Sequence, residues 1–193
     1  MSKGRIQGSV RIVGTGLIGT SIGLALTKLG VRVSLADSSP ANVRLASDYG
    51  AGAPAGETEQ PDLIVVCVPP DVTASVVSRE LEHFPNAVVT DVASVKTPIL
   101  EQLSKANADL SRYVGSHPMA GREKGGAASG RADIFVARPW VIAGHPEATA
   151  EALQLVEQLA LDLEAVPIRI SPLEHDRAVA LVSHAPQLVS SLL

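Results

Sequence analysis

The residues best able to do chemistry lie in GSHPMAGREKGG, residues 115–126, where His117 is set against a proline and Arg122, Glu123 and Lys124 lie between glycines. An imidazole titrates near neutral pH, so it can take a proton from a hydroxyl while the neighbouring carbon is oxidised. On composition alone the same stretch also reads as a solvated polar loop. Ser94 of DVASVK is a second candidate: a hydroxyl near an imidazole can orient it, or it can simply cap the helix begun by SVKTPIL. His184 lies on an apolar helical face, where a histidine is either a core residue with a satisfied partner or a pocket group. His175 and Asp176 open or solvate the last helix. The five histidines lack metal-ligand spacing and the single cysteine, Cys67 in LIVVCVPP, has no partner, so no metal is expected.

Gly14-Thr15-Gly16-Leu17-Ile18-Gly19 follows the strand-like VRIV and opens an apolar helix. In that setting the first glycine permits a tight turn, the second lets the backbone approach a pyrophosphate, and the third lets helix and strand pack closely. The helix N-terminus then faces the phosphates. Asp37 ends VRVSLA, 23 residues past Gly14, where a carboxylate accepts from a ribose 2′-hydroxyl; the alternative is an ordinary turn residue before SSP. With no arginine immediately after it, NAD is favoured over NADP, and Arg44 is the residue a 2′-phosphate would use. Leu17, Ile18, Val68 and Pro69 fall on the same rim and complete the expected cofactor contacts. Gly19-Thr20-Ser21-Ile22-Gly23 also matches a hydrolase nucleophile elbow, but its serine falls inside the helix rather than on the turn after a strand.

Positioning these groups requires short β-branched strands alternating with helices, the pattern of parallel strands joined by crossovers. Strands are expected at Ser9–Val13, Val31–Ala36, Leu63–Val68, Ala87–Asp91, Tyr113–Ser116 and Trp140–Ala143, with another near Glu164–Ile168. Helices are expected at Leu17–Leu29, Ala41–Tyr49, Val72–His83, Thr97–Ala106 and Glu147–Leu161. In open parallel sheets ligands sit beyond the carboxyl ends of the strands, so the glycine turn, Ser94 and His117 should meet at one rim. The predicted class is α/β: a Rossmann-type doubly wound, mainly parallel sheet over 1–170. Residues 171–193 then read as the first helix of a helical domain, since Ser171-Pro172 with Glu174 is a helix start and no stop signal follows.

Of 193 residues, 46% are hydrophobic and only 3% aromatic, so the core must be built from Val, Leu, Ile and Ala. Sixteen basic against twenty acidic residues, without a basic stripe, argue against nucleic acid. A single cysteine and the lack of a signal-like or membrane-length apolar run point to a cytoplasmic protein.

GTGLIGTSIG, DVASVK, GSHPMAGREKGG, RPWVIAG and EHDRAVALVSHAPQLV, in that order, resemble the prephenate dehydrogenase and arogenate dehydrogenase family. The resemblance implies NAD-dependent oxidative decarboxylation of prephenate to 4-hydroxyphenylpyruvate in tyrosine biosynthesis. It makes His117 the catalytic base or hydrogen-bond acceptor for the ring hydroxyl. Ser94 would orient His117 and touch nicotinamide or substrate, Glu123 would gate and order the site, and His184 would lie close to the substrate. It further implies a helical C-terminal domain that forms a homodimer and supplies an arginine for a substrate carboxylate. Arogenate as substrate, or a truncated or inactive NAD-binding module, are the alternatives; SVK and HPM argue against a different Rossmann reductase.

Overall fold

The computed structural model describes residues 4–120 and 126–181. Eight strands form one sheet: β1 Ser9–Val13, β2 Arg32–Ala36, β3 Ala53–Pro54, β4 Leu63–Val66, β5 Val88–Asp91, β6 Tyr113–Pro118, β7 Pro139–Ala143 and β8 Val166–Ile170. The helices are α1 Leu17–Lys28, α2 Pro40–Asp48, α3 Pro70–His83, α4 Thr97–Lys105, α5 Ala150–Asp162 and α6 Pro172–Val179. The strand order is β3-β2-β1-β4-β5-β6-β7-β8. Neighbours from β3 through β6 are parallel; β7 runs antiparallel to β6, and β8 is parallel to β7. The order reverses between β1 and β4, and this switch point opens a crevice at the carboxyl ends of the strands.

Both faces of the sheet are covered. Along β4, Leu63 and Val65 enter one apolar core with Ile22 and Leu26 of α1 and Val156 and Leu159 of α5. Ile64 and Val66 point the other way, into a core with Val77 and Leu81 of α3 and Ile99 and Leu103 of α4. An unbroken apolar run is what a strand buried on two faces requires. Aliphatic side chains dominate both cores, with Phe135 and Trp140 a tilted aromatic pair 5.3 Å apart in the first.

Several boundaries differ from expectation because capping and proline chemistry set them. Ser39 caps α2 by accepting from Asn42 N, so the helix begins at Pro40 rather than Ala41. Pro70 begins α3 two residues before Val72, its fixed φ suiting a first helical position. Thr149 caps α5 at Ala150, three residues past Glu147. β3 is not among the expected strands: its two residues are too few to show alternation, yet they extend the sheet edge beside β2. The helix start at Ser171 has the reciprocal capping box with Glu174. Among the described residues no helix is long and apolar enough to cross a membrane.

Candidate active site

The three glycines of the turn after β1 serve three purposes. Gly14 takes φ +98°, and a Cβ there would fall 2.4 Å from the carbonyl oxygen of Cys67. Gly16, the cap position of α1, faces open space, with nothing within 4 Å of a built Cβ. Gly19 lies against the strand, where a Cβ would meet the Gly14 carbonyl oxygen at 2.0 Å. Only the middle glycine leaves room for something other than protein. Gly14→Ala is therefore expected to lower stability by at least ~1–2 kcal/mol, the cost of an L residue in the left-handed region, as read from a urea titration.

The turn opens on a cleft of about 1000 Å³. Of the residues expected to meet a cofactor, Gly14, Gly16, Leu17, Ile18, Asp37, Val68 and Pro69 line this cleft, and Gly19 lies beneath it in the α1–β1 contact. Asp37 is both a turn residue and part of the cleft wall. Its carboxylate accepts from Thr15 N at 2.8 Å, Thr15 Oγ1 at 3.0 Å and Ser39 N at 2.9 Å, organising the turn while facing the cleft. Burial pushes its pKa up, but these bonds outweigh that and hold it below the usual carboxylate value. Cys67 also lines the cleft; burial, then the Asp91 charge, push its thiol up, so it stays protonated and is no nucleophile.

Beyond β5 and β6 lies a buried polar knot. The Lys96 ammonium pairs with the Asp91 carboxylate and donates to the Ser116 carbonyl at 2.8 Å. Tyr113 OH donates to the same carboxylate at 2.7 Å. Burial lowers the Lys96 pKa, with Asp91 opposing. Burial, followed by Asp91, raises that of Tyr113, which stays a hydrogen-bond donor. These bonds fix the end of β6, and the next residue is His117.

His117 is half-buried at the carboxyl end of β6. Its Nδ1 lies 3.0 Å from Nε2 of His175, whose Nδ1 lies 2.7 Å from Asp176 Oδ1. Asp176 also accepts from Lys96 N at 2.9 Å and Thr97 N at 2.8 Å, so α6 closes the N-terminus of α4 from 80 residues away. Burial first, then His175 and Lys96, push the His117 pKa down to about 4, against the opposing charge of Asp176. The ring is neutral at physiological pH.

Three expectations are corrected here. Ser94, expected to orient His117, lies exposed on the cleft wall, and the hydrogen bond at the ring's Nδ1 is made with His175 instead. Nor does Ser94 cap α4: the cap position is Lys96, and the first amides are taken by Asp176. His175 and Asp176, read as merely opening the last helix, stand next to the candidate base; nothing local to EHDR places α6 against β6. Glu123 and His184 lie outside the described residues. Among the described residues no group of His, Cys, Asp and Glu could hold a metal ion.

Residues 22–169 match the family model for the prephenate dehydrogenase nucleotide-binding domain. The chain belongs to the prephenate dehydrogenase family. It is 39% identical over 182 residues to a probable prephenate dehydrogenase, NovF, of Streptomyces niveus, covering 94% of this chain and 50% of that one. Its fold matches that of prephenate dehydrogenase from A. aeolicus in complex with hydroxyphenyl propionate and NAD+, with a TM-score of 0.87 and 26% identity over 98% of this chain and 69% of that one. Arogenate dehydrogenase from Synechocystis gives a TM-score of 0.85 at 29% identity, covering 95% and 67%. The chain spans about half the length of the curated relatives it matches. The prephenate dehydrogenase match starts inside α1 and ends inside β8, so the glycine turn before it and the His175–Asp176 pair after it rest on their own geometry.

Proposed function

We propose that this chain is the NAD-binding part of a prephenate dehydrogenase, carrying out the oxidative decarboxylation of prephenate to 4-hydroxyphenylpyruvate for tyrosine synthesis. The observation that carries this reading is a neutral imidazole, His117, on the same rim of the sheet as the cleft formed by the glycine turn and Asp37.

The fit to a dinucleotide is physical. Gly16 leaves the space a pyrophosphate needs, and the first amides of α1 have no intrahelical partners. Asp37 remains ionised beside the cleft, suited to a ribose hydroxyl and repellent to a 2′-phosphate. When bound, NAD supplies the acceptor for the hydride. The protein's own residues then align the ring and handle one proton. With Nδ1 held by His175, the nitrogen of His117 that addresses the substrate is Nε2. As the hydroxyl-bearing ring carbon loses hydride, Nε2 takes the hydroxyl proton; departure of carbon dioxide leaves a phenolate, to which the proton returns. Aromatisation drives the sequence. Ser94 borders nicotinamide or substrate, and Glu123 and His184 act in gating and substrate binding, as the family resemblance implies.

Arogenate is the second reading, favoured by the nearly equal fit to the Synechocystis arogenate dehydrogenase. Residues 1–170 form the dinucleotide-binding domain and 171–193 open a helical domain through which two copies pair; the exposed Leu173 and Leu181 support a further packing surface there. The setting is the cytoplasm, in keeping with a single unpaired cysteine.

The test compares prephenate with arogenate, and NAD with NADP, by appearance of the reduced nicotinamide. Prephenate with NAD is expected to be the productive pair. NAD binding with no turnover of either substrate would leave only a nucleotide-binding module. Asp37→Ser is expected to weaken NAD at least tenfold, through loss of charge-assisted hydrogen bonds of about 1.5–3 kcal/mol, while weakening NADP less; equilibrium titration of both reads this out.

A further inference from the structure

A carboxylate can only accept hydrogen bonds, and a neutral imidazole has one N–H and one bare nitrogen. These two facts decide where every proton lies along Asp176, His175 and His117. Asp176 accepts from the backbone N–H groups of Lys96 and Thr97, so the α4 N-terminus holds it in place. Burial alone would raise its pKa, but bonds from His175 and those amides hold it below the usual value, so it is ionised. His175 Nδ1, 2.7 Å from that carboxylate, must carry the hydrogen. When His175 is neutral its Nε2 is then bare and faces His117 Nδ1 at 3.0 Å. That contact is a hydrogen bond only if His117 Nδ1 carries a hydrogen, which leaves Nε2 of His117 bare. The rings meet at 77° with centroids 5.2 Å apart, an edge-on approach suited to N–H···N rather than stacking. His175 is only 1% exposed, so water does not compete for its nitrogens.

We infer that His175 and Asp176 are positioning residues that set the tautomer of His117, so that Nε2 is the acceptor. This rests on the reading of His117 as the substrate-facing group. Without the chain the ring can place its hydrogen on Nε2, where it would donate to the substrate hydroxyl instead of accepting from it. In serine-protease triads the same kind of tautomer control by a carboxylate is worth about 10⁴ in kcat. Here the carboxylate acts through one intervening ring and comes from the helix that follows the sheet.

The test has two parts. Long-range ¹H–¹⁵N spectra of the chain labelled with ¹⁵N-histidine report which nitrogen of each ring carries hydrogen, independently of activity. Both His117 and His175 are expected as Nδ1–H, with His117 shifting to Nε2–H in His175→Phe. In turnover, His175→Phe is expected to lower kcat on the order of 10²-fold, the lower end for a positioned base, with NAD affinity unchanged. His175→Gln, whose side-chain carbonyl can accept from His117 Nδ1–H, is expected to recover much of that loss, which a purely structural role would not produce. An Nε2–H tautomer for His117 in the unaltered protein, or a His117 spectrum unmoved by His175→Phe, overturns the inference. If His117→Asn is inactive while His175→Phe turns over normally, the relay fails and the assignment of His117 stands; if both are fully active, that assignment itself fails.

Discussion

His117→Asn is expected to lower turnover about 10²–10⁴-fold while the dissociation constant for NAD stays close to that of the unaltered protein. The separation of these effects follows from the sheet. The glycine turn hangs on β1 and His117 on β6, with β4 and β5 between them, so the substitution leaves the nucleotide cleft intact. Asparagine keeps a short polar side chain at the strand end but loses the acceptor that titrates. Stopped-flow hydride transfer together with equilibrium NAD binding checks both halves, and full activity in the variant would remove His117 from the mechanism. The pH behaviour adds an independent sign. Burial first, then His175 of α6 and Lys96 before α4, lower the native pKa of the His117 ring to about 4, below the ordinary ~6.5, with the Asp176 charge opposing. Between those values the unfolded chain binds a proton that the native protein does not, so stability falls as pH drops from about 6.5 toward 4. His117→Asn removes this contribution, and its urea midpoint should depend less on pH across that window although its turnover is lost. The acid limb of kcat/KM in the unaltered protein should likewise lie below the ordinary histidine value.

How much of this site could be read from the chain depended on distance along it. The glycine turn was legible because its constraints are local: a positive φ at Gly14, open space at Gly16 and a close approach at Gly19 all act within six residues. The strands on either side were legible for the same reason, since LIVV needs two covered faces and so a parallel sheet. Asp37 was legible in position but not in detail, because its bonds to Thr15 depend on β1 and β2 lying side by side. The environment of His117 was not legible. Its ring partner lies 58 residues away, and the carboxylate that closes α4 is 80 residues from the amides it accepts from. Periodicity and spacing carry no information on such contacts; they arise only when β7 and β8 reverse direction and return the chain to pack α6 against α4. Ser94 was favoured over His175 because it falls at the strand-end rim shared with His117 and because the family resemblance gives it the orienting role.

Lys96 shows the same limit with a larger energetic consequence. Its side chain is 1% exposed and that of Asp91 0%, so the pair is fully enclosed between β5, β6 and the start of α4. Lys96→Met is expected to destabilise the protein by about 3–5 kcal/mol, moving the urea midpoint down by roughly 2 M. The loss comes from the charge left behind rather than from the missing attraction. Asp91 would keep the Tyr113 hydroxyl and the Ala93 amide, each a neutral donor at 2.7–2.8 Å, but no cation. The Ser116 carbonyl would lose its ammonium donor at the residue preceding His117, so any folded fraction should also turn over more slowly. Adding Asp91→Asn tests the cause: with no buried charge remaining, the double variant should regain part of the stability lost by Lys96→Met alone. A double variant less stable than the single one would mean that Asp91 is held by its hydrogen bonds and not by the ion pair, and that the rim of the sheet beside His117 is built on those bonds.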